Sequence, residues 1–177
     1  MPRKKVVFRT PWFSIEREQY PDDPSLKGKP FYRLVVPDGV SIFAMTRDKK
    51  IILVKQFRPA LNTSTLEFPA GDVEQGESPQ KAVARELYEE TGYRAHHLEL
   101  LGVRAAQPSR ANQRIHIFFA QGVAKDHSFR PREQTETVAV SPLQLKKLVK
   151  SGALNPLISL GVLLLALAKH PECGIMR

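Results

Sequence analysis

Three carboxylates crowd one short stretch of the chain, Glu86, Glu89 and Glu90. On a helix advancing about 100° per residue they fall within an arc of about 100°, and Glu86 and Glu90, four apart, bring their Cβ atoms to roughly 5–6 Å. Like charges so spaced weaken a helix by a few tenths of a kcal/mol per pair, so something of opposite sign is expected among them. Oxygen ligands without Cys or His describe a hard-cation site, for Mg²⁺ or Mn²⁺, usually completed by waters and substrate phosphates. Taken alone, the three glutamates also fit a solvated acidic helix face. The surrounding residues decide between the two.

The element that must carry them has legible ends. Ser78 supplies an N-cap, Pro79 the first helical position and Gly92 a stop, which predicts a helix over Pro79–Thr91. Val83, Leu87 and Thr91 occupy the adjoining arc, so one side is buried while its edge aims the acidic cluster at a cleft. Before this helix the sequence reads as short strands over residues 6–10, 12–17, 31–36, 40–46 and 51–57, rich in β-branched and aromatic residues and separated by turn-forming or charged segments. After it, strands are expected over 98–103 and 114–120, the latter with Ile115, Ile117 and Phe119 alternating against His116 and Phe118. A polar loop over 125–135, a last strand over 137–140 and helices over 142–150 and 156–169 close the chain. Mixed strands with a helix between them predict an α/β or α+β sandwich. Residues 1–38 are expected to form an N-terminal β region, a small sheet available for pairing with a second subunit, and 39–177 the domain that carries the acidic helix.

Composition narrows the class. A chain of 177 residues, 42% apolar and 25% charged, holds one ordinary core and is not disordered as a whole. The single cysteine, Cys173, excludes an internal disulfide and a thiolate metal motif, and points to a reducing compartment, the cytoplasm. A net charge of +9 attracts polyanions, yet no RNP-type aromatic motif or repeated basic segment marks a nucleic-acid partner. Arg9 interrupts the apolar run after Arg3-Lys4-Lys5, so no signal peptide is read, and the greasy stretch over 156–168 is too short to span a bilayer. The histidines show no metal-ligand spacing, and no P-loop, GxSxG elbow or dinucleotide fingerprint occurs.

Residues Gly71, Glu77, Arg85, Glu86, Leu87, Glu89, Glu90, Gly92 and Tyr93 stand at the spacing G-x5-E-x7-R-E-U-x-E-E-x-G-U, with U a bulky apolar residue. This resembles the signature of the Nudix hydrolases, and every fixed position is filled. The resemblance implies a Nudix-type α/β/α sandwich with a mixed sheet. It implies that Glu86 and Glu90, with Glu89, bind Mg²⁺ or Mn²⁺, that the backbone carbonyl of Ala70 is a further ligand, and that Glu77 and Arg85 hold the loop to the helix.

Upstream, Lys55-Gln56-Phe57-Arg58-Pro59 and Leu66-Glu67-Phe68-Pro69-Ala70-Gly71, with Pro108 sixteen residues after Gly92, resemble the ADP-ribose pyrophosphatase branch of that family. That likeness implies cleavage of the diphosphate of a nucleoside diphosphate sugar such as ADP-ribose, giving a mononucleotide and a sugar phosphate. Arg58 would contact the diphosphate, Glu67 would shape the pocket, and a loop glutamate before the final strand would serve as general base. Glu136 matches that position, with Glu133 the neighbouring alternative and Glu89 the candidate on the helix itself. Where the branch usually continues with Gly and a Ser-x-Glu element, this chain has Ser109-Arg110-Ala111-Asn112-Gln113, which makes Arg110 a candidate for an additional phosphate or a different sugar. Other nucleoside diphosphate derivatives (GDP-mannose, dinucleoside polyphosphates), nucleoside triphosphates and a non-catalytic ADP-ribose sensor are the alternatives. A homodimer exchanging its N-terminal sheet is expected from the same likeness.

Overall fold

A computed structural model describes residues 3–26, 28–130 and 135–174. Strands β1 (Arg3–Arg9), β2 (Ser14–Gln19) and β3 (Phe31–Val35) form a three-stranded antiparallel sheet in that order. The rest of the chain runs through β4 (Gly39–Thr46), β5 (Ile51–Arg58), β6 (Thr63–Glu67), β7 (Ala70–Asp72), α1 (Pro79–Thr91), β8 (Tyr93–Arg94), β9 (Glu99–Ala105), β10 (Arg114–Lys125), β11 (Thr135–Val140), α2 (Pro142–Lys150) and α3 (Leu157–Lys169). Its eight strands make one sheet ordered β11-β5-β4-β10-β8, with β6 beside β5, β7 beside β4 and β9 beside β10. The β4–β10 pair is parallel and the others are antiparallel, so the sheet is mixed as expected.

Every residue of β4 is buried, because helices cover both faces of the sheet at its centre. The alternation along the strand divides the core in two. Val40, Ile42 and Ala44 face α1, where they meet Ala82, Val83 and Leu87 together with Phe118 and Ala120 of β10. Phe43 and Met45 face the other way, against Leu145 of α2, Val162, Leu163 and Ala166 of α3, and Ile117 and Phe119. The result is the α/β/α sandwich. Each fully buried Leu, Ile or Phe contributes about 1.5–3 kcal/mol from area removed from water.

Several boundaries differ from the sequence expectation. The second strand starts at Ser14 rather than 12, because the Thr10 side-chain oxygen accepts from the amides of Trp12 (3.2 Å) and Phe13 (3.0 Å) and closes a turn there. The final strand begins at Thr135, two residues earlier than expected. The strands β6 and β7 were not anticipated; they are short, separated by Pro69, and pair with β5 and β4 respectively. Pro156 caps α3 from outside the helix. The N-terminal sheet is stitched to the segment carrying Arg110: Leu34 donates to the Arg110 carbonyl (2.8 Å), and the Asn112 side chain pairs with both backbone groups of Val36 (3.0 and 3.2 Å). Among the described residues no helix is long and apolar enough to cross a membrane.

Candidate active site

Helix α1 is fixed at both ends by the signals its sequence carries. The Ser78 side chain accepts from the Lys81 amide at 3.3 Å, Pro79 fills the first turn, and Gly92 takes the left-handed conformation (φ 70°) with its amide donating to the Tyr88 carbonyl at 2.7 Å. So positioned, α1 lays its acidic edge along β7. Glu86 and Glu90 are buried although ionisable, a costly arrangement that needs partners of opposite sign or aligned dipoles.

The partners come from both sides. The carboxylate of Glu86 lies against Gly71, so closely that a Cβ at residue 71 would sit 2.1 Å from Glu86 Cδ. The amide of Ala70 donates to Glu90 Oε2 at 3.0 Å. Strand β7 thus presents its backbone to both carboxylates, and it is held in place because Val40 and Ser41 of β4 pair with Gly71 and Ala70. Arg85 gathers the rest: Nε and Nη2 form a fork on Glu77 (3.1 and 3.0 Å), Nη2 also donates to the Asp72 carbonyl (3.0 Å), and Nη1 reaches Glu86 (2.6 Å) and Glu89 (3.4 Å). The hydrogen bond from Arg85 lowers the pKa of Glu77, and its bond to Glu77 raises that of Arg85 against the opposing pull of burial. Arg85 therefore ties the loop from Asp72 to Glu77 onto the helix and neutralises part of the acidic cluster.

The family residues fit a hard cation. Glu86 and Glu90 supply carboxylate oxygens beside a strand whose backbone approaches closely only because residue 71 has no side chain, and the donor set is all oxygen. Among the described residues no three His, Cys, Asp or Glu side chains are arranged to hold a cation by themselves. The third glutamate, Glu89, shares Arg85 Nη1 with Glu86, at 3.4 Å against 2.6 Å, and is the more exposed of the two.

Arg58 and Glu67 come together. The guanidinium forks onto the carboxylate, Nε to Oε1 at 2.8 Å and Nη2 to Oε2 at 2.6 Å, and the Thr65 hydroxyl adds a further bond to Glu67. Burial pushes the Glu67 carboxyl up, but the bonds from Arg58 and Thr65 outweigh it and hold the group below its ordinary value. Arg58 is raised chiefly by the same bond, with a smaller contribution from the Glu90 charge, which places the pair near the acidic edge of α1.

The other sequence candidates scatter. Arg110 lies over the Phe31 ring of the N-terminal sheet, 5.5 Å from its centroid. Glu136 belongs to β11, not to a loop, and alternation puts it on the opposite face from its neighbours. Those neighbours, Thr135 and Thr137, donate to the Glu90 carbonyl at 3.2 and 3.4 Å, whereas Glu136 pairs with Lys55 at 3.5 Å in an exposed position. Glu133 lies outside the described residues. Two features were missed by sequence reasoning: this pair of threonines, signalled only by a Thr-x-Thr alternation, and an aromatic wall at the end of α1. There Phe129 packs edge-on against Tyr88 (5.2 Å) and above Gly92, Arg94 stacks on Tyr88 (3.7 Å), and the resulting cavity of about 250 Å³ is lined by Tyr88, Glu89, Ser128, Phe129 and Arg130.

Residues 36–157 match the NUDIX domain, which takes in all of α1 and the strands that support it, and the chain belongs to the Nudix family. Nudix hydrolases generally use a divalent metal. Among relatives, the chain is 37% identical to an ADP-ribose pyrophosphatase of Bacillus subtilis over 134 residues, covering 74% of this chain and 72% of that one. It is 38% identical to a methanol dehydrogenase activator of Bacillus methanolicus over 62% of this chain and 59% of the relative, and 33% identical to an ADP-sugar pyrophosphatase of Mus musculus over 64% and 57%. The matches thus span less than two thirds of the length of the latter two relatives. A crystal structure of an ADP compounds hydrolase superposes with a TM-score of 0.77 at 22% identity, covering 98% of this chain and 96% of the other, a likeness of fold.

Proposed function

We propose that this protein is a divalent-metal-dependent pyrophosphohydrolase that splits an ADP-sugar such as ADP-ribose into AMP and a sugar phosphate. The observation that carries the reading is the seating of Glu86 against Gly71 beside Glu90 on the Ala70 amide, an arrangement that leaves two carboxylates facing backbone in a site suited to a hard cation. The likeness to the Bacillus subtilis enzyme over most of both chains supports the choice of substrate.

Glu86 and Glu90 would hold the metal, with the Ala70 carbonyl as a further ligand. When bound, the metal supplies charge neutralisation of the diphosphate and a lowered pKa for water. Water adds to one phosphorus of the P–O–P bridge, the bond to the bridging oxygen breaks, and that oxygen leaves on the other phosphate. The water proton passes to a carboxylate. Glu89 is our candidate for that base, because it lies on the metal-bearing helix and lines the adjoining cavity, whereas Glu136 faces away from α1 in a pair with Lys55. Arg58, oriented by the Glu67 fork, would offer Nη1, which takes no part in that fork, to a phosphate oxygen. Arg110 over Phe31 would meet the far end of the substrate.

The same reading includes a homodimer formed through the N-terminal sheet, supported by Val6, Val7, Phe8 and Trp12, all exposed there. Sedimentation velocity showing a monomer at micromolar concentration would remove the dimer. For the activity, the test is release of mononucleotide from ADP-ribose, other ADP-sugars, GDP-mannose and dinucleoside polyphosphates with Mg²⁺ or Mn²⁺. Hydrolysis of ADP-sugars that vanishes in Glu90→Gln supports it, and preference for any other class of substrate overturns the substrate assignment.

A further inference from the structure

We propose that Thr135 and Thr137 are positioning residues for the metal site, holding Glu90 from behind so that its carboxylate meets β7. This rests on the reading of Glu86 and Glu90 as the metal-bearing pair.

Helix α1 lies across one face of the sheet, with β7 beneath its acidic edge and β11 near its C-terminal turn. Glu90 is joined to both. Its carboxylate accepts from the Ala70 amide of β7 at 3.0 Å, and its carbonyl accepts from the hydroxyls of Thr135 and Thr137 of β11 at 3.2 and 3.4 Å. A carbonyl in the last turn of a helix has no partner within the helix and must find one elsewhere. The usual cap is already present, since the Gly92 amide donates to Tyr88 and not to Glu90. The two hydroxyls therefore do something the cap does not: they fix one particular residue of the helix relative to the sheet. They sit two apart on one face of β11, and both converge on the residue whose side chain carries the site.

The register of β11 is set elsewhere, by pairing with β5 from Thr135↔Gln56 to Val140↔Ile51. Because β5 is bonded to β4, and β4 to β7, the threonines and the Ala70 amide belong to one continuous sheet. Glu90 thus spans two fixed points of the same rigid body. Loss of the rear pair leaves the helix end held by apolar packing and by Asp126, whose amide donates to the Gly92 carbonyl (2.8 Å) and whose side chain accepts from the Tyr88 hydroxyl (3.2 Å), ties that fix the residues on either side of Glu90 but not the Glu90 main chain itself. Removing hydrogen-bonded supports behind metal ligands typically lowers metal affinity by about 10–100-fold, and these bonds act one step further back through the main chain. About tenfold is the effect expected.

The test compares Thr135→Val/Thr137→Val with Thr135→Ser/Thr137→Ser. Valine keeps the shape and loses the donors, and serine keeps the donors. Mn²⁺ affinity of the metal-free protein is measured by calorimetry, beside kcat, KM and thermal unfolding. The proposal expects the double valine variant, still cooperatively folded, to bind Mn²⁺ about tenfold more weakly and to lose kcat with little change in KM, with the serine pair restoring both. Should the double valine variant not fold, the single Thr137→Val variant carries the same comparison with a smaller effect. Wild-type Mn²⁺ affinity in a folded valine variant overturns the proposal, as does a loss that serine does not restore. Because Mn²⁺ binding is read without substrate, absence of ADP-sugar hydrolysis in every form, with the valine effect on Mn²⁺ intact, would overturn the substrate reading and leave this one standing.

Discussion

The Glu86 carboxylate occupies the space that any side chain at residue 71 would need: a Cβ on Gly71 would lie 2.1 Å from Glu86 Cδ and 2.2 Å from its Oε1. The glycine at the start of the family signature is thus explained by contact, not by backbone freedom, since its conformation is an ordinary extended one. In Gly71→Ala the side chain of Glu86 must yield, and Arg85, bonded to it at 2.6 Å, resists the move. We expect Mn²⁺ binding to weaken by at least about tenfold, the range seen when support around metal ligands is disturbed. Calorimetric titration of the metal-free variant checks this, and unchanged affinity would show that Glu86 does not bind metal in the position described.

A second prediction concerns Arg58 and Glu67. Glu67 is buried and its carboxyl is held below the ordinary value near 4.5, burial raising it but the Arg58 and Thr65 bonds prevailing. A carboxylate depressed on folding adds stability above its unfolded pKa and loses it as the pH falls through the folded one. Arg58→Ala should therefore destabilise the protein at pH 7 by about 1–3 kcal/mol, the lower part of that range being expected because Arg58 is partly exposed. With Arg58 gone, burial of Glu67 is opposed by Thr65 alone, so the variant takes up this proton at a higher pH than the wild type does, and the deficit should shrink as the pH falls from 7 toward 4. Urea unfolding at pH 7 and pH 4 measures both, and an equal deficit at the two pH values would contradict the linkage.

Glu89 and Glu136 make a third. Removing a general base typically costs about 10²–10⁴-fold in turnover. We expect a loss in that range for Glu89→Gln, and for Glu136→Gln a rate within about twofold of wild type, since an exposed ion pair such as Glu136–Lys55 is worth about 0–1 kcal/mol. Steady-state rates at saturating metal decide the matter, and the reverse order would return the role to β11 or to the segment bearing Glu133.

What the sequence disclosed, and what it hid, follows from the distance over which each feature is encoded. Helix α1 was legible to the residue because Ser78, Pro79 and Gly92 mark its ends locally, and the glutamates lie within it. A sandwich of strands and helices was legible from alternating and continuous apolar runs, whereas the α/β/α arrangement and the mixed sheet came from the resemblance to the Nudix signature. Glu136 was misplaced by a boundary error of two residues: a strand beginning at Thr137 leaves it on a loop, whereas one beginning at Thr135 assigns it a face, and the face is the wrong one for α1. The Arg58–Glu67 fork was hidden because strand pairing alone does not give it: β5 and β6 set Arg58 opposite Thr63 and Val54 opposite Glu67, the two residues share a face but not a row, and only the side-chain geometry shows the contact. The sharing of Arg85 Nη1 between Glu86 and Glu89 was invisible for another reason: a wheel shows that the three glutamates share an arc, and only side-chain partners show that a cation on the same helix bridges two of them.

Gly92 offers the last prediction, because two independent penalties meet there. Its φ of 70° is left-handed, a conformation that costs a non-glycine residue roughly 1–2 kcal/mol, and a Cβ would stand 2.5 Å from the Phe129 ring. Phe129 is itself held by the Tyr88 ring, so it has limited room to retreat. Gly92→Ala should lower the melting temperature by more than the conformational cost alone, which for a chain of this size is worth about 2–4 °C per kcal/mol. A double-mutant cycle separates the two penalties: in a Phe129→Ala background the contact is gone, and only the backbone cost of Gly92→Ala should remain. The variant's effect should therefore be smaller in that background. If Gly92→Ala costs the same with and without Phe129, the ring is not braced against the helix end, and the aromatic wall beside Glu89 is looser than the structure describes.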